Sequence, residues 1–158
     1  MARRVVMVVL VVMALAGATV GVALAQGRGT AGRPGETIHL FTGTGGHDTF
    51  LDFANDGLGF GDRLVAVSPL LDESQTRKVG TAYADCVIVS RVQLGGTYDC
   101  TYVLELNGGD ITTHGIDPQG ASDVLFAVTG GTGVYRGASG QAQYVDTDIT
   151  EINIDLDA

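Results

Sequence analysis

What most limits the folds open to this chain is a glycine-dense corner set between two apolar runs, in the stretch 123–146, DVLFAVTGGTGVYRGASGQAQYVD. Thr129, Gly130, Gly131, Thr132 and Gly133 make the corner, and Gly137 and Gly140 follow closely. In 124–129 both alternating sets are apolar or small, Val124, Phe126 and Val128 against Leu125, Ala127 and Thr129. A strand of that pattern is expected to be covered on both faces, which points to a closed or stacked sheet. Gly130, Gly131 and Gly133 suit backbone angles that a side chain forbids, while Gly137 and Gly140 fit a kink or close approach at a barrel corner.

The other segments are read as strands from their alternation. Residues 36–42 (ETIHLFT) open the series, 47–53 make a short strand or turn, and 63–71 follow, interrupted at Pro69, which marks an edge or bulge. The segments 81–90 and 97–106 form a hairpin turning near 93–96. One face of that hairpin carries Ala82, Ala84, Cys86 and Ile88 with Tyr98, Cys100, Tyr102 and Leu104; the other carries Asp85, Asp99, Thr101 and Glu105. Small residues opposite large ones suit the inside of a narrow barrel, where they fill the lumen or leave room for one ligand. Residues 111–116 make a strand bearing His114, 117–122 a loop, and 149–156 a last strand with Ile152, Ile154 and Leu156 inward. No helix is expected in this region. The segments suffice for one all-β domain, an eight-stranded antiparallel β-barrel over 36–158.

In their order these segments resemble the allene oxide cyclase and dirigent superfamily. The stretch 128–143, VTGGTGVYRGASGQAQ, looks like its signature, and 61–80, 81–89 (TAYADCVIV) and 98–110 (YDCTYVLELNGGD) are similar to its successive strands and connections. The resemblance covers roughly 60–144 and implies a small antiparallel barrel that binds a hydrophobic molecule in its lumen and steers a cyclisation, isomerisation or stereoselective coupling. It also implies a homo-oligomer, trimer or dimer. His47-Asp48 resembles a histidine–aspartate pair that follows the first strand of dirigent proteins, and Cys86 matches a cysteine near the ligand in the cyclase branch. The chain departs from the family in having no carboxylate in 41–46, and in having Val67 and Ser68 where dirigent proteins carry an acidic pair before the proline.

Before that domain, Arg3 and Arg4 precede an apolar run, and Ala23-Leu24-Ala25 offers a small-residue cleavage site before Gln26, the layout of a secretory signal peptide over 1–25. The competing reading is an uncleaved membrane anchor, since the uncharged run is long enough to span a bilayer. Residues 26–35, rich in Gly, Arg and Pro, read as a flexible tether. Cleavage removes two of nine basic side chains and leaves seven against eighteen acidic ones, a net charge of −11. Such a chain makes a poor partner for nucleic acid or for an anionic membrane surface.

Pairing about the hairpin turn sets Cys86 opposite Cys100, where a bridge is sterically possible in an exported chain. The alternative is a free thiol at Cys86 inside a ligand cavity. No cofactor or metal is expected: His39, His47 and His114 are scattered, and the glycine clusters lack dinucleotide-binding spacing. Asp146/Asp148 and Asp155/Asp157 read as solvated acidic faces.

Candidate catalytic residues are His114, a general acid or base at the barrel mouth, Asp48 and Tyr102. Candidate ligand contacts are Tyr98, Tyr102, Cys86, Ile88 and Leu104. Two functions follow, a secreted cyclase-like enzyme and a non-catalytic carrier of a small apolar ligand. A sealed lumen argues against both, an open pocket holding Tyr102, His114 or Asp48 favours catalysis, and a purely apolar one favours carriage.

Overall fold

The computed structural model of the chain describes residues 35–57, 59–92 and 95–158. The expected leader (1–25), the tether up to residue 34, and residues 93 and 94 of the expected hairpin turn lie outside the described residues. The strands are β1 (Thr37–Thr42), β2 (His47–Leu51), β3 (Arg63–Leu71), β4 (Lys78–Val92), β5 (Gly95–Leu106), β6 (Gly109–Pro118), β7 (Asp123–Gly131), β8 (Gly140–Asp146) and β9 (Thr150–Leu156). Every pairing is antiparallel, in the order β1-β9-β8-β7-β6-β5-β4-β3-β2, and a further pairing of β1 with β3 closes the ring.

The ring counts eight because β1 and β2 are two halves of one edge laid along β3. Thr42 pairs with Leu70 and His47 with Val67, and residues 43–46 loop out between them. Pro69 faces that excursion. Its carbonyl accepts the Gly43 N–H at 2.8 Å, so the donor that proline lacks would have pointed the same way, where pairing is already broken. The ladder from Pro69 to Thr81 on β4 therefore loses nothing; the interruption expected at Pro69 is met on the β1–β2 side, and the register with β4 shifts just beyond it, between Leu70 and Leu71.

Strict alternation sorts the walls. Ala82, Cys86, Ile88, Tyr98, Cys100 and Leu104 are buried inside, as the hairpin reading required. The ladder matches small to large, Ala82 with Leu104 and Ala84 with Tyr102. Cys86 pairs with Cys100 and the two are bridged by a disulfide on the inner wall, so no free thiol is present among the described residues. Outside, Asp85 takes a two-point contact from Arg63, and Tyr83 donates to Glu105 at 3.1 Å.

One end of the cylinder is filled. Leu70, Leu104, Ile111, Phe126 and Ile154 are at most 1% exposed, and Tyr135, from a 3-10 turn (Gly133–Tyr135) in the glycine corner, joins the same core cluster. Among the described residues that turn is the one helical element, and the alternation did not foresee it. Gly133 carries φ +58°, and a Cβ there would lie 2.0 Å from the Gly108 carbonyl oxygen; Gly140, at φ +141°, would meet the Asp155 carbonyl oxygen at the same distance. The corner is glycine-dense because backbone crosses backbone there.

The expectation that 124–129 is covered on both faces is not met. Phe126 and Val128 are buried, whereas Leu125 is 58% exposed and Ala127 and Thr129 face solvent. A single closed barrel has one interior, and no described layer covers its outer wall.

Candidate functional site

At the other end the lumen stays open. Moving out from the packed half, the inward positions change from large aliphatics to Ala66, Ser68, Ala84 and Thr42, leaving a cavity of about 270 Å3 lined also by Tyr102, Asp117, Tyr144 and Asp146. It runs into a second hollow of about 280 Å3 that shares Leu64, Tyr102, Asp117, Ala121 and Asp146 and reaches Tyr98 and the Cys86 end of the disulfide. The 118–122 connection, through Gln119, Gly120, Ala121 and Ser122, forms the lip.

The floor is aromatic. Tyr102, Phe126 and Tyr144 form a triangle with ring centroids 4.7, 5.1 and 5.5 Å apart, tilted rather than stacked. Phe126 fits because β6 has Gly115 beneath it, where a Cβ would come 2.5 Å from the ring. The Tyr144 hydroxyl shares a 2.8 Å hydrogen bond with Thr113 Oγ1, itself fully buried. Burial pushes the Tyr144 phenol well above its usual range, and the Thr113 bond offsets part of that rise. Tyr102 is different, since its hydroxyl makes no hydrogen bond among the described residues. Burial first, and then the charges of Asp117 and Asp146, push it up to about 12, so it stands protonated and able to donate.

The carboxylates at the mouth follow from parity. Asp117 continues the inward series Ile111, Thr113, Gly115 along β6, and Asp146 continues Ala142, Tyr144 along β8. Asp117 has its pKa raised by burial and, secondarily, by the charge of Asp146. Neither carboxylate has a hydrogen bond or ion pair among the described residues, and the lining of both hollows contains no Lys, Arg or His. A carboxyl group with a raised pKa beside an unpartnered phenol in a sheltered cavity can take up or release a proton on a bound molecule.

The structure separates the residues singled out from sequence. Tyr102, Tyr98 and Cys86 line the cavity. Ile88 and Leu104 are buried in packed wall, 3% and 0% exposed, and do not line it. His114 lies on the outer wall of β6, its Nε2 2.6 Å from Asp99 Oδ1, with its neighbours Thr113 and Gly115 turned inward. The parity that puts Thr113 in the lumen keeps the imidazole out of it. Asp48 sits on β2 opposite Ala66 and shares its face, but is exposed and one strand beyond the cavity wall. Sequence reasoning missed Asp117, Asp146, Thr113 and Tyr144. Counting by twos from Ile111 puts Asp117, expected in a loop, on the inward set of β6, and counting from Ala142 puts Asp146 at the rim of the mouth, where it stays exposed as the reading of a solvated face expects.

A wider groove of about 690 Å3 lies at the filled end, where β1 diverges from the β3–β4 turn. Its charges oppose one another: Arg77 Nε reaches Asp72 at 3.0 Å, and His39 stands 2.8 Å from Glu151 and 3.6 Å from Glu73. The mouth, with like charges left unopposed above an aromatic floor, is the stronger site. No cluster of metal-ligating side chains occurs among the described residues.

No family model matches the sequence, and no curated protein matches it. Solved structures match in fold. A pyocyanin demethylase aligns at a TM-score of 0.68 with 21% identity, covering 77% of this chain and 99% of that one. The pterocarpan synthase dirigent protein GePTS1 aligns at 0.62 with 22% identity, over 77% of this chain and 88% of that one. The Diels-Alderase AbmU from Streptomyces koyangensis aligns at 0.59 with 18% identity, over 77% of this chain and 62% of its own length. At these identities the likeness establishes a common barrel.

Proposed function

With a barrel of the allene oxide cyclase and dirigent superfamily as its frame, we propose that this protein takes a small hydrophobic molecule into the open end of its lumen and steers a ring closure, isomerisation or stereoselective coupling there. The observation that carries the reading is the placement of Asp117 and Tyr102 together in a cavity whose opposite end is packed shut. The bound molecule lies against the rings of Tyr102 and Tyr144, which restrict it to a few conformers, and that restriction supplies selectivity without a covalent step. Tyr102 donates to an oxygen that gains negative charge, and Asp117 accepts or returns a proton. The names of the matching structures, two from cyclising or coupling systems, support a role of this class. Export through the apolar leader, with cleavage after Ala25, belongs to the same proposal; finding Gln26 as the N-terminus of protein recovered from culture medium tests it.

To test the function, small molecules that co-purify with the protein are extracted and identified by mass spectrometry, in parallel with Ala84→Phe, which fills the mouth opposite Tyr102. The metabolites of a strain lacking the protein are compared with those of its parent. A compound lost from Ala84→Phe together with a product of altered stereochemistry supports the proposal. A compound lost without any change in product identifies carriage instead. No bound compound and unchanged metabolites overturn lumen binding.

A further inference from the structure

Resting on the lumen reading above, we infer that the ligand carries a positive charge, as a protonated amine or a quaternised ring nitrogen on an apolar ring-bearing body. The charge is held at the mouth by Asp117 and Asp146, and the body lies on the faces of Tyr102 and Tyr144. The make-up of the cavity lining points this way. On the outer wall Asp85, Asp99 and Glu105 are answered by Arg63, His114 and Tyr83, and exposed carboxylates such as Asp48 and Asp148 stand singly in water rather than around a hollow. The two carboxylates that face the lumen have no such partner, and no basic side chain lines the space before them.

A neutral body seated over the mouth strips water from both carboxylates and returns nothing, and an anion is repelled as well. A cation removes the deficit: it pairs with the carboxylates and presents its charge to ring faces that attract it. The overall acidity of the chain adds a long-range field of the same sense. The groove at the filled end offers no such preference, because its acidic and basic groups oppose one another.

The test uses three probes with one body, 1-naphthylmethylamine, 1-naphthylmethanol and 1-naphthylacetate, titrated into the full chain at neutral pH and low salt. Naphthyl anisotropy is the readout, unobscured because the chain has no Trp. Two modest ion pairs and a cation–π contact correspond to about a tenfold preference for the ammonium probe over the alcohol, with the carboxylate probe weakest. That preference shrinks in about 0.5 M salt. It falls stepwise in Asp146→Asn and in Asp117→Asn/Asp146→Asn, while the alcohol binds as tightly as before or tighter, since the desolvation of the carboxylates is gone. Equal affinities, or tighter binding of the alcohol, overturn the charge inference and leave the lumen reading standing. A preference that survives in the folded double variant also overturns it. Binding of none of the probes counts against both readings.

Discussion

Replacing Tyr144 by Phe tests whether the lumen floor is dry. The substitution keeps the ring, and with it the centroid distances of 4.7 Å to Tyr102 and 5.1 Å to Phe126, but deletes the hydroxyl that shares a 2.8 Å hydrogen bond with Thr113 Oγ1. Thr113 is 0% exposed and has no other side-chain partner, so its hydroxyl is left buried and unsatisfied. That costs about 1–2 kcal/mol. Thr113→Val exposes the converse deficit at Tyr144, which is 5% exposed and borders the cavity. Its cost is smaller, about 0.5–1 kcal/mol, because the phenol can turn toward the mouth. Removing both hydroxyls leaves nothing unsatisfied, so the double variant is expected near the smaller single effect, with a coupling energy about equal to the larger one, about 1–2 kcal/mol. Urea unfolding measures it: for a slope of about 1.5 kcal/mol per M, Tyr144→Phe lowers the midpoint by about 1 M at unchanged slope. Additive single effects, or a Tyr144→Phe midpoint that does not move, would mean that water reaches Thr113 and that the floor is wet.

Three further outcomes follow from the same structure. Asp117→Asn should raise the thermal midpoint at neutral pH: the folded pKa lies above the unfolded one, so the native form is favoured when Asp117 is protonated and loses that advantage as pH rises through the folded value. The gain therefore fades on acidification, and a variant less stable at pH 7 would refute it. Gly140→Ala places a methyl 2.0 Å from the Asp155 carbonyl oxygen at φ +141° and should destabilise the β8–β9 ladder by more than about 2 kcal/mol, read from denaturant midpoints; an effect near zero would contradict the close approach. Replacing Cys86 and Cys100 together by Ala opens a loop with a sequence separation of 14 and should cost about 3 kcal/mol, with matching sensitivity of the wild type to reductant in a thermal melt.

Much of this barrel was legible from local pattern. Period-two alternation in 81–90 and 97–106 placed Cys86 across from Cys100 and set Tyr98 and Tyr102 on the inner wall. Pro69 announced a break in pairing, and the glycine corner announced backbone crossing backbone. Alternation also misled where its reach was cut short. The apolar outer set of β7 read as a buried second face, yet Leu125 faces solvent, because a pattern reports what a residue tolerates and a neighbouring layer decides what covers it. Ending the β6 strand at Ile116 hid Asp117 by one residue, and the reading of Asp146 as solvated, which its exposure bears out, did not extend to its place at the rim of the lumen.

By itself, then, the order of residues determined the fold class, the strand faces and the cystine pairing, since each depends on neighbours a few residues away along the chain or across one hairpin. Which end of the cylinder is filled, and which carboxylates meet over the opening, was decided by the tertiary arrangement, through strand order and closure together. Asp117 and Asp146 stand on strands β6 and β8, separated by β7, and feel each other's charge because strand order sets both on the inner face two strands apart. Closure gives the sheet its inside and outside, and alternation along β6 then sets His114, one residue from the lumen-facing Thr113, on the outer side.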